Sequence, residues 1–198
     1  MAFIEEAISS NFISGNGPFT KRVQSWMIEH FSFPKTLLTT SCTDALEMSA
    51  LLLDIKPGDE IILPSYAFVS IANAFIIHGA TLKFADSEND HPNIDPSSIE
   101  QLISEKTKAV VVIHYAGMIV DLTRIQNICA KHNIYLIEDA AHAIGVKYND
   151  RYLGSYGDLS VMSFHESKNI TCGEGGCLIV NNDQFSDRAE ILLEKGTN

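Results

Sequence analysis

The sequence has little of what marks secreted, membrane or nucleic-acid-binding proteins. Its 14 Lys and Arg residues are outnumbered by 25 Asp and Glu residues, giving a formal net charge of -11, whereas phosphate backbones select basic surfaces. No apolar run approaches the ~18 residues that a membrane-spanning helix needs. Residues 1–10 are too short and too acidic for a signal peptide. We therefore expect no nucleic-acid partner, no membrane association and a cytoplasmic setting.

Cysteine is also scarce, and no two cysteines have the C-x-x-C spacing. The chain contains Cys42, Cys129, Cys172 and Cys177, so neither a zinc knuckle nor a thioredoxin-like motif is expected. What the chain does have is 198 residues, 45% of them hydrophobic and 20% charged, which is the composition of a globular protein. This length is sufficient for one sizeable α/β domain with a core of its own.

Short apolar runs alternate with helical patterns along the chain. Strands are predicted at residues 36–40, 60–63, 81–85, 108–114, 134–138, 159–164 and 178–180, and helices at 45–53, 68–78, 121–132 and 183–195. Another helix should begin after Asp95, an N-cap residue followed by proline. Repeated strand–helix units with strands apolar on both faces predict an α/β fold, a mostly parallel sheet sandwiched by helices. Residues 1–30 are predicted to form a helical arm and residues 31–198 the main domain.

Polar and aromatic residues follow several of the predicted strands. Residues 41–43 (Ser-Cys-Thr) follow the first strand at the start of a helix, Phe68 comes after the second, Asp139 after the fifth and Lys168 after the sixth. Ligands of parallel sheets bind at the carboxyl ends of the strands, so these residues are expected on one rim. Pyridoxal phosphate (PLP) needs a helix N-terminus for its phosphate, a flat face for its ring, a carboxylate for its pyridine nitrogen and a lysine for its aldehyde.

Each of these residues has an ordinary structural explanation when it is considered alone. Ser41 and Thr43 are typical helix caps, and Asp139 could cap a turn. Phe68 belongs to a residue type usually found in cores, and Lys168 to one usually exposed in loops. Their joint placement on one rim is what favours a PLP site.

Several longer motifs resemble those of one protein family. They are residues 39–48 (TTSCTDALEM), 56–70 (KPGDEIILPSYAFVS), 114–117 (HYAG), 137–142 (IEDAAH), 163–169 (SFHESKN) and 173–176 (GEGG). With them the chain resembles the DegT/DnrJ-type sugar-nucleotide aminotransferases from Gly15 to Asn198. The resemblance implies the large domain of the PLP-dependent transferases of fold type I, the aspartate-aminotransferase fold.

The resemblance also implies roles for two catalytic residues. Lys168 is expected to hold PLP as a Schiff base and later to carry the proton. Asp139 is expected to pair with the pyridinium nitrogen, which keeps the cofactor ring an electron sink.

Five further residues are expected to bind the cofactor without reacting. By resemblance, Cys42, Thr43 and Ser163 hold the phosphate, and Phe68 stacks on the ring. His142 lies near the phenolic oxygen, at a position where many relatives have glutamine. No metal is expected.

The substrates follow from the same resemblance. Residues 46–60 and 194–198 are most similar to enzymes that aminate a dTDP-4-keto-6-deoxyhexose with L-glutamate, making dTDP-4-amino-4,6-dideoxygalactose for surface polysaccharides. Tyr115 and residues 15–17 are expected near the sugar. The family works as a homodimer in which each subunit contributes to the partner's site. Its members are nearly twice this length, so residues 31–198 are expected to be a PLP-binding large domain that is incomplete at its C-terminal end, and the C-terminal small domain is expected to be absent from this chain.

Four alternatives remain at this point. Amination at C3 of the sugar instead of C4 is one, and a truncated relative that binds a ligand or partner without catalysis is another. A PLP-dependent sugar dehydratase is disfavoured because such relatives carry histidine at the position of Lys168. A metal-dependent hydrolase could use His114, Asp139, His142 and His165, but no ligand motif such as H-E-x-x-H is present.

Overall fold

The computed structural model describes residues 2–12 and 14–196. Its α-helices are α1 (Ala2–Ser9), α2 (Pro18–Phe31), α3 (Cys42–Leu52), α4 (Val69–Ile76), α5 (Pro96–Leu102), α6 (Leu122–His132) and α7 (Ser186–Leu193). Its strands are β1 (Thr36–Thr39), β2 (Glu60–Pro64), β3 (Thr81–Ala85), β4 (Thr107–Ile113), β5 (Tyr135–Asp139), β6 (Lys147–Tyr148), β7 (Arg151–Tyr152), β8 (Leu159–Ser163) and β9 (Gly176–Val180). Short 3-10 turns cover Tyr115–Gly117 and Asp183–Phe185.

Seven of the strands form one sheet in the order β1-β9-β8-β5-β4-β2-β3. The pairings β2–β3, β2–β4, β4–β5 and β5–β8 are parallel. Strand β9 is antiparallel to both β1 and β8, so it alone among the seven runs in the opposite direction. The predicted mostly parallel α/β sheet is therefore confirmed.

Helices cover both faces of this sheet. One core layer joins the sheet to α3, α4 and α7, and the other joins it to α2, α5 and α6. Because side chains alternate along a strand, Val111 of β4 packs in the first layer while Val110 and Val112 pack in the second. Both faces of the strand are buried, which explains its continuous apolar sequence.

Local signals account for several helix boundaries. Asp95 caps α5 as predicted, because its side chain accepts a hydrogen bond of 2.7 Å from the Ser97 N–H, and Pro96 follows it. The helix predicted at residues 183–195 is divided into a 3-10 turn and α7. Strand β9 begins at Gly176, two residues before its predicted start at Leu178.

The short hairpin of β6 and β7 is absent from the predictions. Its strands have two residues each, too few for a periodic pattern to be visible. The turn residues Asn149 and Asp150 both have positive φ, 43° and 62°. Asn and Asp tolerate this conformation better than other non-glycine residues, and it suits a two-residue hairpin turn.

The two N-terminal helices differ in how much they contribute to the core. Helix α1 buries no residue, whereas α2 packs Met27 and Phe31 against the second core layer. The division into a helical arm and a main domain stays a prediction. Met1 and the last two residues of motif 194–198 lie outside the described residues. Among the described helices, none is long and apolar enough to cross a membrane.

Candidate active site

The carboxyl ends of five parallel strands surround a cavity of about 640 Å³. Residues that follow β1, β2, β4, β5 and β8 form its wall. The sequence-predicted residues that line it are Cys42, Thr43, Phe68, Tyr115, Asp139, His142, Ser163 and Lys168. The structure thus brings together every residue predicted to contact the cofactor.

Asp139 lies at the end of β5, where it is 4% exposed. Its Oδ1 accepts one hydrogen bond, of 2.9 Å from the Ala141 N–H. Burial raises the pKa of this carboxyl to about 6, although the Ala141 N–H, Lys168 and His114 all oppose the shift. A buried carboxylate with so little compensation favours a cationic partner, such as a protonated pyridine nitrogen.

Lys168 and His142 meet inside the cavity. Lys168 Nζ lies 2.7 Å from His142 Nε2, and the Ala116 N–H donates to His142 Nδ1 over 3.2 Å. Lys168 is positioned by a turn in which its backbone N–H donates to the His165 carbonyl over 3.0 Å. Burial, followed by the nearby Lys168, lowers the pKa of His142. The lysine amine is therefore held next to a neutral imidazole.

The first turn of α3 forms a polar end of the cavity. Ser41 caps the helix, because its Oγ accepts a hydrogen bond of 3.1 Å from the Asp44 N–H. Cys42 and Thr43 are the first helical residues, where free N–H groups and the helix dipole favour an anion. Burial, with Asp139 and Cys177 nearby, raises the pKa of the Cys42 thiol, so this thiol stays neutral beside the turn.

Two neighbouring strands complete this polar end. Ser163 ends β8, is largely buried, and accepts a hydrogen bond of 3.4 Å from the His165 N–H. Gly176 begins β9 so close to α3 that a Cβ there would collide with backbone atoms of Ser41 and Cys42. Only glycine lets the reversed strand approach the helix start, a requirement that is not predicted from the sequence.

Aromatic rings also line the cavity. Phe68 is 75% exposed although it is a large apolar residue. The Tyr66 and Tyr115 rings contact edge to face with centroids 5.0 Å apart, and their hydroxyls are 3.3 Å apart. The Tyr115 ring in turn contacts His142 at 5.4 Å. An exposed phenylalanine in a cavity gives a flat ligand a surface on which to stack.

These groups match the chemistry of PLP. The α3 turn and Ser163 suit its phosphate, Phe68 its ring, Asp139 its pyridine nitrogen and Lys168 its aldehyde. The fit rests on the donor set in this chain and on the under-compensated carboxylate of Asp139.

His114, one of the four residues considered as metal ligands of a hydrolase, has both ring nitrogens occupied. His114 is buried, with Nε2 3.0 Å from Glu138 Oε1 and Nδ1 accepting from the Val120 N–H over 3.4 Å. Across residues 2–12 and 14–196, no group of three or more His, Cys, Asp or Glu could hold a metal ion.

His165 lies at the cavity, whereas the loop at residues 15–17 lies outside it. His165 is on the cavity rim, where its Nδ1 contacts Ser167 Oγ at 2.8 Å and its Nε2 contacts Glu174 at 3.5 Å. Residues 15–17 do not line the cavity, and Asn16 donates to Glu194 after α7. Their place near the sugar stays a prediction.

Comparison with known proteins identifies one family. The sequence profile of the DegT/DnrJ/EryC1/StrS aminotransferase family matches residues 1–198. The GDP-perosamine synthase of Escherichia coli O157:H7 is 35% identical over 186 residues, which are 94% of this chain and 51% of that protein.

Solved structures show the same relationship. The aminotransferase TlmJ of Streptoalloteichus hindustanus superposes with a TM-score of 0.91 and 34% identity, over 96% of this chain and 52% of that one. The NtdA structure from Bacillus subtilis, with bound cofactor PMP, has a TM-score of 0.88 and 27% identity, over 95% and 42%. The chain thus spans about half the length of the relatives it matches.

Proposed function

The chain belongs to the DegT/DnrJ/EryC1/StrS aminotransferase family, and we propose that it carries the cofactor site of a PLP-dependent sugar-nucleotide aminotransferase. The observation that carries the proposal is the single cavity at the strand ends, which contains Lys168, Asp139 and the α3 turn. PMP, bound in the NtdA structure, is the amine form of PLP. The same cofactor fits the residues present here.

Each residue of the site has a distinct role. PLP, when bound, supplies an aldehyde for amine exchange and a ring that stabilises a carbanion. The α3 turn and Ser163 hold its phosphate, and Phe68 fixes the plane of its ring. Asp139 keeps the ring nitrogen protonated, and Lys168 Nζ takes and returns the proton at the substrate carbon.

We assign L-glutamate as the amino donor and a dTDP-4-keto-6-deoxyhexose as the acceptor. The motifs at residues 46–60 support this choice, and dTDP-4-amino-4,6-dideoxygalactose for polysaccharide synthesis is the expected product. A GDP-linked sugar is the second candidate, because the similar Escherichia coli protein is a GDP-perosamine synthase. Amination at C3 would be a variant of the same chemistry.

A homodimer in the cytoplasm is part of the proposal. It is supported by exposed apolar side chains on and beside α4, the helix whose first turn lines the cavity: Val69, Ile76 and Ile77. Burial of such a cluster against a second copy would remove it from water. Light scattering tests this, with a dimer expected and a monomer at all concentrations contradicting it.

The cofactor assignment is tested by spectroscopy and peptide mapping. Addition of PLP should turn the protein yellow, and borohydride should fix the label on Lys168. The matched control is Lys147, which lies outside the cavity. A label on Lys147, or none, would overturn the assignment.

The substrate assignment uses the same protein. L-glutamate should bleach the yellow absorbance and release 2-oxoglutarate. A dTDP-4-keto-6-deoxyhexose should then restore the absorbance faster than the GDP-linked keto-sugar. Faster recovery with the GDP-linked sugar would replace the dTDP assignment but retain the aminotransferase.

A further inference from the structure

Asn93 is a buried polar residue that does not line the cavity but bonds to a turn that does. Its Oδ1 accepts a hydrogen bond of 3.3 Å from the Tyr115 N–H, and its Nδ2 donates one of 3.0 Å to the Met118 carbonyl. Because an N–H can only donate and a carbonyl can only accept, these partners fix the orientation of the amide. One side chain therefore connects the first residue of the turn to the residue that follows its end.

The segment that carries Asn93 reaches this turn from a strand that is not adjacent to β4. Asn93 lies between β3 and α5, and β2 separates β3 from β4 in the sheet. The segment is closed by its own backbone, since the Glu88 N–H donates to the Asn93 carbonyl and the Asp95 N–H to the Asp86 carbonyl, each over 2.9 Å. Asn93 is 2% exposed. It is therefore a fixed support for the turn after β4.

The turn needs support because of its backbone conformation. Ala116 has φ 52° and ψ 25°, and Gly117 has φ 79°. Residues with a Cβ, such as Ala116, rarely adopt this left-handed conformation. It persists only where the surrounding structure holds it. The Gly117 N–H contributes by donating to the His114 carbonyl over 3.0 Å, and Asn93 contributes a hydrogen bond at each end of the turn.

This conformation brings two groups of the turn to His142. The Ala116 N–H donates to His142 Nδ1 over 3.2 Å, and His142 Nε2 lies 2.7 Å from Lys168 Nζ. The Tyr115 ring contacts the His142 ring edge to face, with centroids 5.4 Å apart. A change in the turn would therefore displace the imidazole that lies beside the lysine.

We propose that Asn93 is a positioning residue of the active site, which acts through the turn at residues 115–118 to hold His142 beside Lys168. The role rests on the proposed function only in the reaction whose rate it supports, because the hydrogen bonds that define it belong to the chain itself. A buried asparagine with a purely structural role would lower the stability of the fold without altering the cavity, and this difference can be measured.

Hydrogen exchange of the Ala116 amide reports on the turn without any cofactor. Asn93→Leu removes both side-chain hydrogen bonds at similar volume, so this amide should exchange about tenfold faster. The matched control is Asn181→Leu, because Asn181 Nδ2 donates to the Gly154 and Gly157 carbonyls, each over 2.9 Å, outside the cavity. The control should leave exchange at Ala116 unchanged. Equal exchange in the wild type and Asn93→Leu would overturn the proposal.

The rate of half-transamination reports on the cavity. In PLP-loaded protein, L-glutamate should convert the cofactor about tenfold more slowly in Asn93→Leu, because small displacements of groups around the reacting atoms are costly. Asn181→Leu should react at the wild-type rate per folded molecule. Adding Ala116→Gly to Asn93→Leu should restore part of the rate, because glycine adopts the left-handed conformation without a steric cost. No recovery, or an equal loss of rate in Asn181→Leu, would refute the positioning role.

These outcomes separate the inference from the proposed function. Faster exchange at Ala116 in Asn93→Leu, in a protein that never binds PLP, would retain the support of the turn by Asn93 and refute the cofactor assignment. Equal rates in the wild type and Asn93→Leu, with PLP attached to Lys168, would refute the role of Asn93 and retain the cofactor assignment. Circular dichroism and thermal unfolding of each variant ensure that only folded protein is compared.

Discussion

Two consecutive carboxylates on β5, Glu138 and Asp139, are both buried and belong to opposite faces of the sheet. Glu138 is 0% exposed and accepts five hydrogen bonds. The donors are His114 Nε2, the N–H groups of Gly154, Tyr156 and Gly157, and Ser160 Oγ. Asp139, by contrast, accepts a single backbone hydrogen bond, from Ala141.

Their pKa values move in opposite directions for this reason. Burial alone would raise the pKa of Glu138, but His114 and the backbone donors of Gly154 and Tyr156 more than compensate and lower it. Burial raises the pKa of Asp139 to about 6, because its single N–H donor and more distant charges compensate less. Two carboxyl groups that are similarly buried on one strand therefore have pKa values shifted in opposite directions.

The difference distinguishes a carboxylate that builds the fold from one that serves a ligand. Glu138 ties β5 to the backbone of residues 154–157, so its hydrogen-bonding capacity is used within the protein. Asp139 faces the cavity and can accept more hydrogen bonds than it does. Its burial lowers the stability of the fold, and a cationic ligand would remove this loss. Under-satisfied buried charge in a cavity is a stronger sign of function than burial alone.

The largest expected effect is on the rate of half-transamination, and only substitution of Asp139 should produce it. Asp139→Asn cannot hold the ring nitrogen protonated, so half-transamination by L-glutamate should fall on the order of 10³-fold while PLP still binds. Stopped-flow absorbance measures this rate. Glu138→Gln removes the same charge one residue away and should change the rate far less per folded molecule. Near-normal conversion by Asp139→Asn would remove Asp139 from the mechanism.

Stability should respond in the reverse order. Glu138→Gln places an amide NH₂ among five donors, so the free energy of unfolding should fall by about 3 kcal/mol at pH 7.5. Urea titration followed by circular dichroism measures it. The lowered pKa means that the carboxylate stabilises the fold above its unfolded pKa and loses this effect as pH falls through its folded pKa. The deficit of the variant should therefore shrink under acidic conditions, and a loss below ~1 kcal/mol at pH 7.5 would contradict the comparison.

Much of this comparison could be predicted from sequence. The alternation of side chains along a strand puts consecutive residues, here Glu138 and Asp139, on opposite faces. Placement of residues after strand ends predicted that they share one rim of the sheet, because parallel strands carry their following loops to one edge. Resemblance to a family supplied roles for Lys168 and Asp139 that spacing alone left open.

What sequence could not give depends on contacts between distant segments. The partners of Glu138 come from residues 114 to 160, and no local pattern links them. The reversed direction of β9 follows from its pairing with β1 and β8, and it explains Gly176 only once the close approach to α3 is visible. The hydrogen bond between the Ala116 amide and His142 likewise spans 26 residues.

The smallest expected effect is the most diagnostic of the electrostatics. An acid whose folded pKa is raised stabilises the fold while it is protonated, and this contribution is lost as pH rises through the folded pKa. For Asp139 the folded pKa is about 6 against an ordinary 3.8. Asp139→Asn stays neutral at every pH and still offers an oxygen to the Ala141 N–H. It should therefore match the wild type near pH 4 and exceed it above pH 7 by at most about 3 kcal/mol.

Urea unfolding of the wild type and Asp139→Asn from pH 4 to pH 8 measures this difference, with Glu138→Gln as the matched control. The control should show a deficit that is fully present above the ordinary glutamate pKa of 4.5 and shrinks only toward pH 4, while Asp139→Asn shows a gain that grows as pH rises to about 6 and then levels off. The two curves should diverge in sign because one carboxylate is stabilised by its donors and the other is destabilised by burial. A gain that does not vary with pH would show that packing, and not the charge on Asp139, distinguishes the two sides of β5.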